Sequence, residues 1–268
     1  MTMLLAIDTG NTQTVIGLYR RDAGPAEPSA AGEGLVDHWR LSTDANRTSD
    51  EYAVLLRNFL DTVGYDMDTE VTGVAVCSGV PRVLANLRQM VARYFDFDAI
   101  VIEPGTKTGM PILYESPKEV GADRIANAVA AYALYGGPTV VVDFGTGTNF
   151  DVISEHGEFL GGAIAPGLEV SLDALLGRAA ALRAVELVEP RNVIGKSTVE
   201  SLQSGALYGF ASLVDGMVER FRRELGRCTV VGTGGLAHLI ASTSVTIEHV
   251  EPFLTLHGLR LVYDKNTR

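Results

Sequence analysis

The chain has few of the residues that build cross-linked or metal-stabilised proteins. It contains two cysteines among 268 residues, Cys77 and Cys228, which lie far apart and form no C-x-x-C pair. Its five histidines form neither H-x-H nor H-E-x-x-H. We therefore expect no disulfide scaffold, no cysteine zinc site and no histidine metal site, and we expect a reducing compartment, the cytoplasm.

Positive charge is also scarce, since the chain has 22 Lys and Arg residues against 33 Asp and Glu residues, which gives a net charge of −11. This balance argues against a nucleic-acid binder that works by neutralising phosphates, although it leaves room for a local basic pocket. No apolar run approaches the roughly 20 residues that span a bilayer, and no basic region precedes Asp8. We therefore expect neither a membrane segment nor a signal peptide.

A strand followed by an acidic, glycine-containing turn occurs twice. The apolar run 3–7 leads into Asp8-Thr9-Gly10-Asn11-Thr12, and the run 139–142 leads into Asp143-Phe144-Gly145-Thr146-Gly147-Thr148, 135 residues later. Such a repeat over half the chain predicts a duplicated α/β fold with a ligand cleft between two similar domains. We place the domains at 1–117 and 118–268, with helices over 49–63, 83–94 and 122–135 and a surface loop over 22–34.

The residues of the first turn suit phosphate binding. Gly10 permits a sharp turn, and turn N–H groups with the Asn11 and Thr12 side chains can surround phosphate oxygens. Asp8 would repel a bare phosphate, so its carboxylate makes sense if it helps to hold Mg²⁺. The alternative is a hairpin in which Asp and Asn only satisfy turn geometry. The second copy of the turn favours the functional interpretation.

Two further segments each allow a structural and a functional interpretation. The turn 232–237 literally matches a dinucleotide-binding fingerprint, but the 36 residues that follow Gly232 leave no room for the rest of that fold. The turn therefore either receives an adenosine or packs a helix closely on a strand. Gly195-Lys196-Ser197-Thr198 resembles the end of a P-loop, but Pro190 stands where that motif needs glycine. It begins a helix, whose start is either capped by Ser197 or Thr198 or receives a ligand.

Asp123 and Arg124 lie in the first turn of the helix over 122–135. An acidic residue there is usually a cap or a partner of the helix dipole. The functional alternative is a general base for a substrate hydroxyl, with Arg124 binding a substrate anion.

Together these motifs resemble the type III pantothenate kinases, of the acetate kinase/sugar kinase/Hsp70/actin superfamily, over nearly the whole chain. The motifs that carry the resemblance are Asp8-Thr9-Gly10-Asn11-Thr12, Gly121-Ala122-Asp123-Arg124, Val142-Asp143-Phe144-Gly145-Thr146, 161–167, 195–198 with 203–205, 233–237 and 255–259. The resemblance implies two ribonuclease H-like (actin-like ATPase) α/β domains with mixed sheets and an ATP cleft between them.

The resemblance also implies an activity, the ATP-dependent phosphorylation of the pantothenate 4′-hydroxyl in the first step of coenzyme A synthesis. Asp123 would be the general base, Asp143 would bind K⁺ or NH₄⁺, and Asp8 would act with Mg²⁺. The family forms homodimers with the active site near the dimer interface. The ATP-binding residues implied are Asp8, Thr9, Gly10, Asn11, Thr12, Gln13, Thr14, Val15 and Thr146, with 232–237 as the adenosine turn. The pantothenate-binding residues implied are Tyr114, Gly121, Ala122, Asp123, Arg124 and Thr198.

The chain departs from the family pattern in two places, and its fold allows two other functions. Gly147-Thr148-Asn149 replaces the more common Ala-Thr-Thr, and the loop 22–34 is longer than usual. The same fold could phosphorylate another acceptor, such as a sugar or acetate, or serve as a non-catalytic nucleotide-binding regulator. The presence of Asp8, Asp123 and Asp143 favours an enzyme over a regulator.

Overall fold

The computed structural model describes residues 2–21, 32–179 and 182–267. The chain forms two compact units, one from Met1–Leu134 with Phe253–Arg268 and the other from Tyr135–Pro252. Most of the loop predicted over 22–34 lies outside the described residues.

The first unit is built on a five-stranded mixed sheet. Its strands are β1 (Met3–Thr9), β2 (Gln13–Arg20), β3 (Leu35–Ser42), β4 (Val71–Ser78) and β5 (Ile100–Val101), in the order β3-β2-β1-β4-β5. β2 is antiparallel to β1 and β3, whereas β4 is parallel to both β1 and β5. β1 reads as a continuous apolar run because it is buried at the centre of this sheet.

The second unit repeats this topology. Its strands are β6 (Thr139–Phe144), β7 (Gly147–Ile153), β8 (Phe159–Pro166), β9 (Thr229–Gly234) and β10 (His249–Val250), in the order β10-β9-β6-β7-β8. β6 pairs antiparallel with β7 and parallel with β9, as β1 does with β2 and β4. The predicted fold class, a duplicated α/β architecture with mixed sheets, is confirmed.

Helices pack against both sheets. Among the described residues they are α1 (Ser49–Thr62), α2 (Pro81–Tyr94), α3 (Ala122–Tyr135), α4 (Leu168–Leu176), α5 (Thr198–Leu225), α6 (Ala237–Ala241) and α7 (Leu254–Thr267). α1 begins with a capping box, in which the Thr48 hydroxyl accepts from the Glu51 N–H and the Glu51 carboxylate accepts from the Thr48 N–H. The capping box fixes where this helix starts, one residue after the cap.

The predicted strands and helices agree with the structure within a few residues, but the sequence interpretation missed α4, β10 and α7. The division predicted at 117 assigns α7 and the whole of α3 to the second half, whereas contacts place residues 253–268 and 122–134 in the first compact unit. The boundary of the duplication itself stays a prediction, because compactness and duplication need not divide a chain at the same residue.

No helix in the described ranges is both long enough and apolar enough to cross a membrane.

The close contact between α7 and α3 can be tested through the stability of a glycine variant. A Cβ atom at Gly258 of α7 would lie 2.0 Å from the main-chain oxygen of Ala126 in α3, so Gly258→Ala must push the helices apart. We expect Gly258→Ala to lower the free energy of unfolding by about 1–3 kcal/mol, the usual cost of overpacking. Thermal and urea unfolding of the purified proteins would measure this loss.

A second helical glycine provides the control. Gly205 of α5 has open space where a Cβ would lie, so Gly205→Ala should raise stability by about 0.5–1 kcal/mol. Equal stability of wild type and Gly258→Ala would contradict the packing described for α3 and α7.

Candidate active site

The first acidic turn joins β1 to β2 and presents polar groups to solvent. The Gly10 N–H donates to the Gln13 carbonyl at 3.0 Å, which closes the turn. Asn11, Thr12 and Gln13 are exposed, so their side chains can reach a ligand. The remaining predicted ATP-binding residues of this segment are less accessible: Asp8, Gly10 and Val15 are half-buried, and Thr9 and Thr14 are buried.

Asp8 has a buried thiol as its neighbour. The parallel pairing of β1 with β4 places Cys77 opposite Asp8, and the thiol donates to Asp8 Oδ1 over 3.2 Å. Burial raises the pKa of the Cys77 thiol well above its usual range, and the carboxylates of Asp8 and Asp123 raise it further. The thiol therefore stays protonated and remains a donor. No sequence signal pointed to this role, because an isolated cysteine within an apolar strand is typical of a core residue.

The Cys77 thiol is near Asp123 as well as Asp8. Since both carboxylates act electrostatically on Cys77, Asp123 lies close to the end of β1 although 115 positions separate it from Asp8 in the chain. Two of the three acidic residues singled out in the sequence are thus brought together within the first unit.

Asp123 lies in the first turn of α3 and is half-buried. Its carboxylate accepts a hydrogen bond from the Arg124 N–H at 2.9 Å, so the helix-start interpretation has structural support. A Cβ at Gly121 would lie 2.4 Å from Asp123 Oδ1, which means that glycine leaves the space that this carboxylate occupies. Arg124 itself is buried, with 8% of its surface exposed, so little of its guanidinium side chain can meet a ligand in this conformation.

The second acidic turn joins β6 to β7 and is closed by its own backbone. The Gly145 N–H donates to the Gly147 carbonyl, and the Gly167 N–H donates to the Thr146 carbonyl, both at 3.0 Å. A Cβ at Gly167 would lie 2.5 Å from the carbonyl oxygens of Gly145 and Thr146. Gly167, at the end of the motif 161–167, is therefore required for the turn, and Thr146 is exposed at its tip.

Asp143 borders a small space lined with oxygen atoms. A Cβ at Gly234, whose φ is +89°, would lie 2.6 Å from both Asp143 Oδ1 and the Phe144 carbonyl oxygen. A carboxylate and a main-chain carbonyl at one point are ligands that suit a hard cation such as K⁺. The residues present therefore fit the monovalent ion that the sequence interpretation assigns to Asp143.

The glycine-rich turn after β9 is closely packed at one glycine and open at another. A Cβ at Gly232 would lie 3.4 Å from Ile247 and 3.7 Å from Ala237, so this glycine serves close packing. Gly235 is exposed with open space beside it, as an adenosine lying against the backbone would need. The Thr233 hydroxyl between them donates to the Glu251 carbonyl at 2.7 Å and stabilises the strand.

The remaining predicted pantothenate residues are distributed over both units. Gly121 and Ala122 lie beside Asp123 in the first unit, together with Tyr114, which is 37% exposed. Thr198 is the exposed first residue of α5 in the second unit. Ser197 caps this helix by accepting from the Glu200 N–H at 3.2 Å, so the cap interpretation holds for Ser197.

We also searched the described residues for clusters of metal-binding side chains. Over the described parts of the chain, no group of three or more His, Cys, Asp and Glu could hold a metal ion.

Comparison with known proteins identifies the family. A model of the type III pantothenate kinase family matches residues 4–220. The chain is 53% identical to the type III pantothenate kinase of Streptomyces griseus subsp. griseus over 272 residues, covering 98% of both chains. It is 54% identical to that of Frankia alni over 266 residues, covering 98% of this chain and all of the other.

Solved structures support the fold class. A Baf family protein of Campylobacter jejuni superposes with a TM-score of 0.58 at 19% identity, covering 98% of each chain. A ROK family glucokinase of Streptomyces griseus superposes with a TM-score of 0.52 at 10% identity, covering 98% of this chain and all of the other. At these identities the likeness concerns the fold alone. The family model and the full-length identities establish more than the fold: the chain belongs to the type III pantothenate kinase family.

Proposed function

We propose that this protein transfers the γ-phosphoryl group of ATP to the 4′-hydroxyl of pantothenate, with Asp123 as the general base. The observation that carries the proposal is the hydrogen bond from the Cys77 thiol of β4 to Asp8 at the end of β1, with the Asp123 carboxylate near enough to raise the pKa of the same thiol. The proposed phosphate-binding turn and the proposed proton acceptor are then near the same edge of the sheet. Family membership supplies the identity of the acceptor.

The first turn binds the phosphates of ATP in this proposal. The exposed segment 11–13 offers side-chain amides and a hydroxyl, and Gly10 allows the backbone to approach a phosphate closely. Asp8 would hold Mg²⁺ together with the phosphates, and the ion would neutralise charge on the transferred group. Thr146 and the turn 232–237 are the proposed ATP contacts of the second unit, and Asp143 is the proposed K⁺ or NH₄⁺ ligand.

Asp123 orients the acceptor hydroxyl and receives its proton. Phosphoryl transfer depends mainly on positioning and charge stabilisation, so the base contributes most by aligning the attacking oxygen. The hydrogen bond from the Arg124 N–H fixes one oxygen of the carboxylate, and the absence of a side chain at Gly121 keeps its position open. Tyr114, Ala122 and Thr198 are the other proposed pantothenate contacts, whereas the burial of Arg124 argues against a direct contact for that side chain. Because ATP is the phosphoryl donor, we also place the enzyme in the cytoplasm.

Asp123→Asn tests the general base. The substitution keeps the size and the hydrogen bond from Arg124 but removes proton-accepting capacity, so we expect kcat to fall by about 10²–10⁴-fold. Pantothenate-dependent ADP release would be measured for both proteins, with circular dichroism as the check on folding. Asp98→Asn, at an exposed position, is the matched control and should leave kcat unchanged. Nearly full activity of Asp123→Asn would contradict the assignment.

We also propose that the protein is a homodimer, and that the apolar segment around Thr198 forms part of the interface. Val193, Ile194 and Val199 expose 65%, 81% and 49% of their surfaces. Their position is fixed, because Ser204 donates to the Val193 carbonyl at 2.5 Å and Gln203 donates to the Glu186 carbonyl at 2.8 Å. An ordered and exposed apolar segment of this kind is typical of an interaction surface.

Ile194→Lys tests this interface. A charge at the centre of the apolar segment should convert the dimer of 28.6 kDa chains to the monomer. Light scattering coupled to size exclusion would give the mass. Val54→Lys, on a 60% exposed apolar position of α1, should leave the dimer intact. A wild-type monomer, or a dimer that Ile194→Lys does not weaken, would refute the proposed interface.

A further inference from the structure

A threonine outside every motif fixes the conformation of the first turn. Thr43 directly follows β3, and its hydroxyl donates to the Gly10 carbonyl at 2.8 Å. Its main-chain N–H donates to the Thr12 carbonyl at 2.9 Å. One residue therefore binds two of the three carbonyls in the turn 10–12, from a position more than 30 residues further along the chain.

The hydroxyl of Thr14 takes part in the same arrangement. Thr14 Oγ1 and Thr43 Oγ1 are 3.0 Å apart. A hydroxyl carries one hydrogen, and the hydrogen of Thr43 is directed to the Gly10 carbonyl, which can only accept. Thr14 must therefore donate to Thr43, so its own hydrogen is not available to a phosphate. The three groups form a relay from Thr14 through Thr43 to Gly10.

This relay has a direct consequence for an anionic ligand. Carbonyl oxygens carry partial negative charge and repel phosphate oxygens, whereas N–H groups attract them. Because Thr43 binds the carbonyls of Gly10 and Thr12, both oxygens point toward β3. The exposed side of the turn, where Asn11 and Thr12 lie, is thereby freed of those two oxygens.

We propose that Thr43 is a positioning residue for ATP binding, and that it acts by holding the carbonyls of Gly10 and Thr12 away from the phosphates. This inference rests on the proposed function of the turn as a phosphate site. It does not depend on the identity of the acceptor. Thr14, which the family resemblance places among the ATP-binding residues, contributes its side chain through Thr43.

The test compares ATP binding by Thr43→Val and Thr43→Ser. Valine has the shape of threonine without the hydroxyl and leaves the Gly10 carbonyl unpaired, whereas serine keeps the hydroxyl. Isothermal titration calorimetry with Mg²⁺ and ATP, without pantothenate, should show Kd raised about tenfold by Thr43→Val and within about twofold of wild type for Thr43→Ser. KM for pantothenate should change little in both variants.

Thr139→Val is the matched control. Thr139 is buried where Thr43 is half-buried, and its hydroxyl likewise donates to a carbonyl, that of Gly136 at 2.8 Å. It begins β6 at the end opposite the second turn. It should lose thermal stability as Thr43→Val does while binding ATP normally. If Thr43→Val does not fold, Thr14→Val replaces it. We expect Thr14→Val to lower the affinity for ATP by only about threefold, because the hydrogen bond from Thr43 to Gly10 is retained.

The outcomes separate this inference from the proposed function. The positioning role would be overturned if Thr43→Val bound ATP as tightly as wild type, or if Thr139→Val weakened ATP binding equally. If Thr14→Val is used, ATP binding equal to wild type would overturn it in the same way. Wild-type protein that binds no ATP would overturn it as well. Wild-type protein that binds ATP but shows no pantothenate-dependent turnover would contradict only the acceptor, and the comparison of variants would still decide the role of Thr43.

Discussion

The parallel pairing of β1 with β4 is the constraint on which the candidate site depends. Its register sets Asp8 beside Cys77, and the two central strands end at the same edge of the sheet. Ligands in open α/β sheets bind beyond the carboxyl ends of parallel strands, because loops there converge and helices begin there. The turn 10–12 follows β1 at this edge, and the start of α3 brings Asp123 to it. A shift of one residue in this pairing would turn Asp8 to the other face of the sheet.

The duplicated fold gives the two acidic residues different surroundings. Asp143 pairs with Thr233 across β6 and β9, in the position that Cys77 has opposite Asp8. Cys77 donates to Asp8, whereas Thr233 donates its hydroxyl to the Glu251 carbonyl. Asp143 lies instead beside the Phe144 carbonyl at the space that Gly234 leaves. One topology thus gives the two carboxylates different neighbours, the Cys77 thiol beside Asp8 and the Phe144 carbonyl near Asp143.

Much of the fold and the position of both acidic turns could be predicted from the sequence, because they depend on short continuous segments. The apolar runs before Asp8 and Asp143 predicted buried strands, and the repeat of the turn predicted the duplication. What the sequence could not provide depends on pairing between distant segments. Thr43 lies in a polar stretch without a motif, and only the pairing of β2 with β3 brings it to Gly10. The placement of α7 in the first unit likewise follows from packing of Gly258 on Ala126, which no periodicity reveals.

The proposed reaction is tested by ADP release from the purified wild-type protein with ATP and Mg²⁺, with and without pantothenate, in K⁺ and in Na⁺. We expect turnover that requires pantothenate and is much faster in K⁺, because Asp143 and the Phe144 carbonyl suit that ion. Turnover that is independent of pantothenate, or no turnover with ATP still bound, would show that this site does not phosphorylate pantothenate.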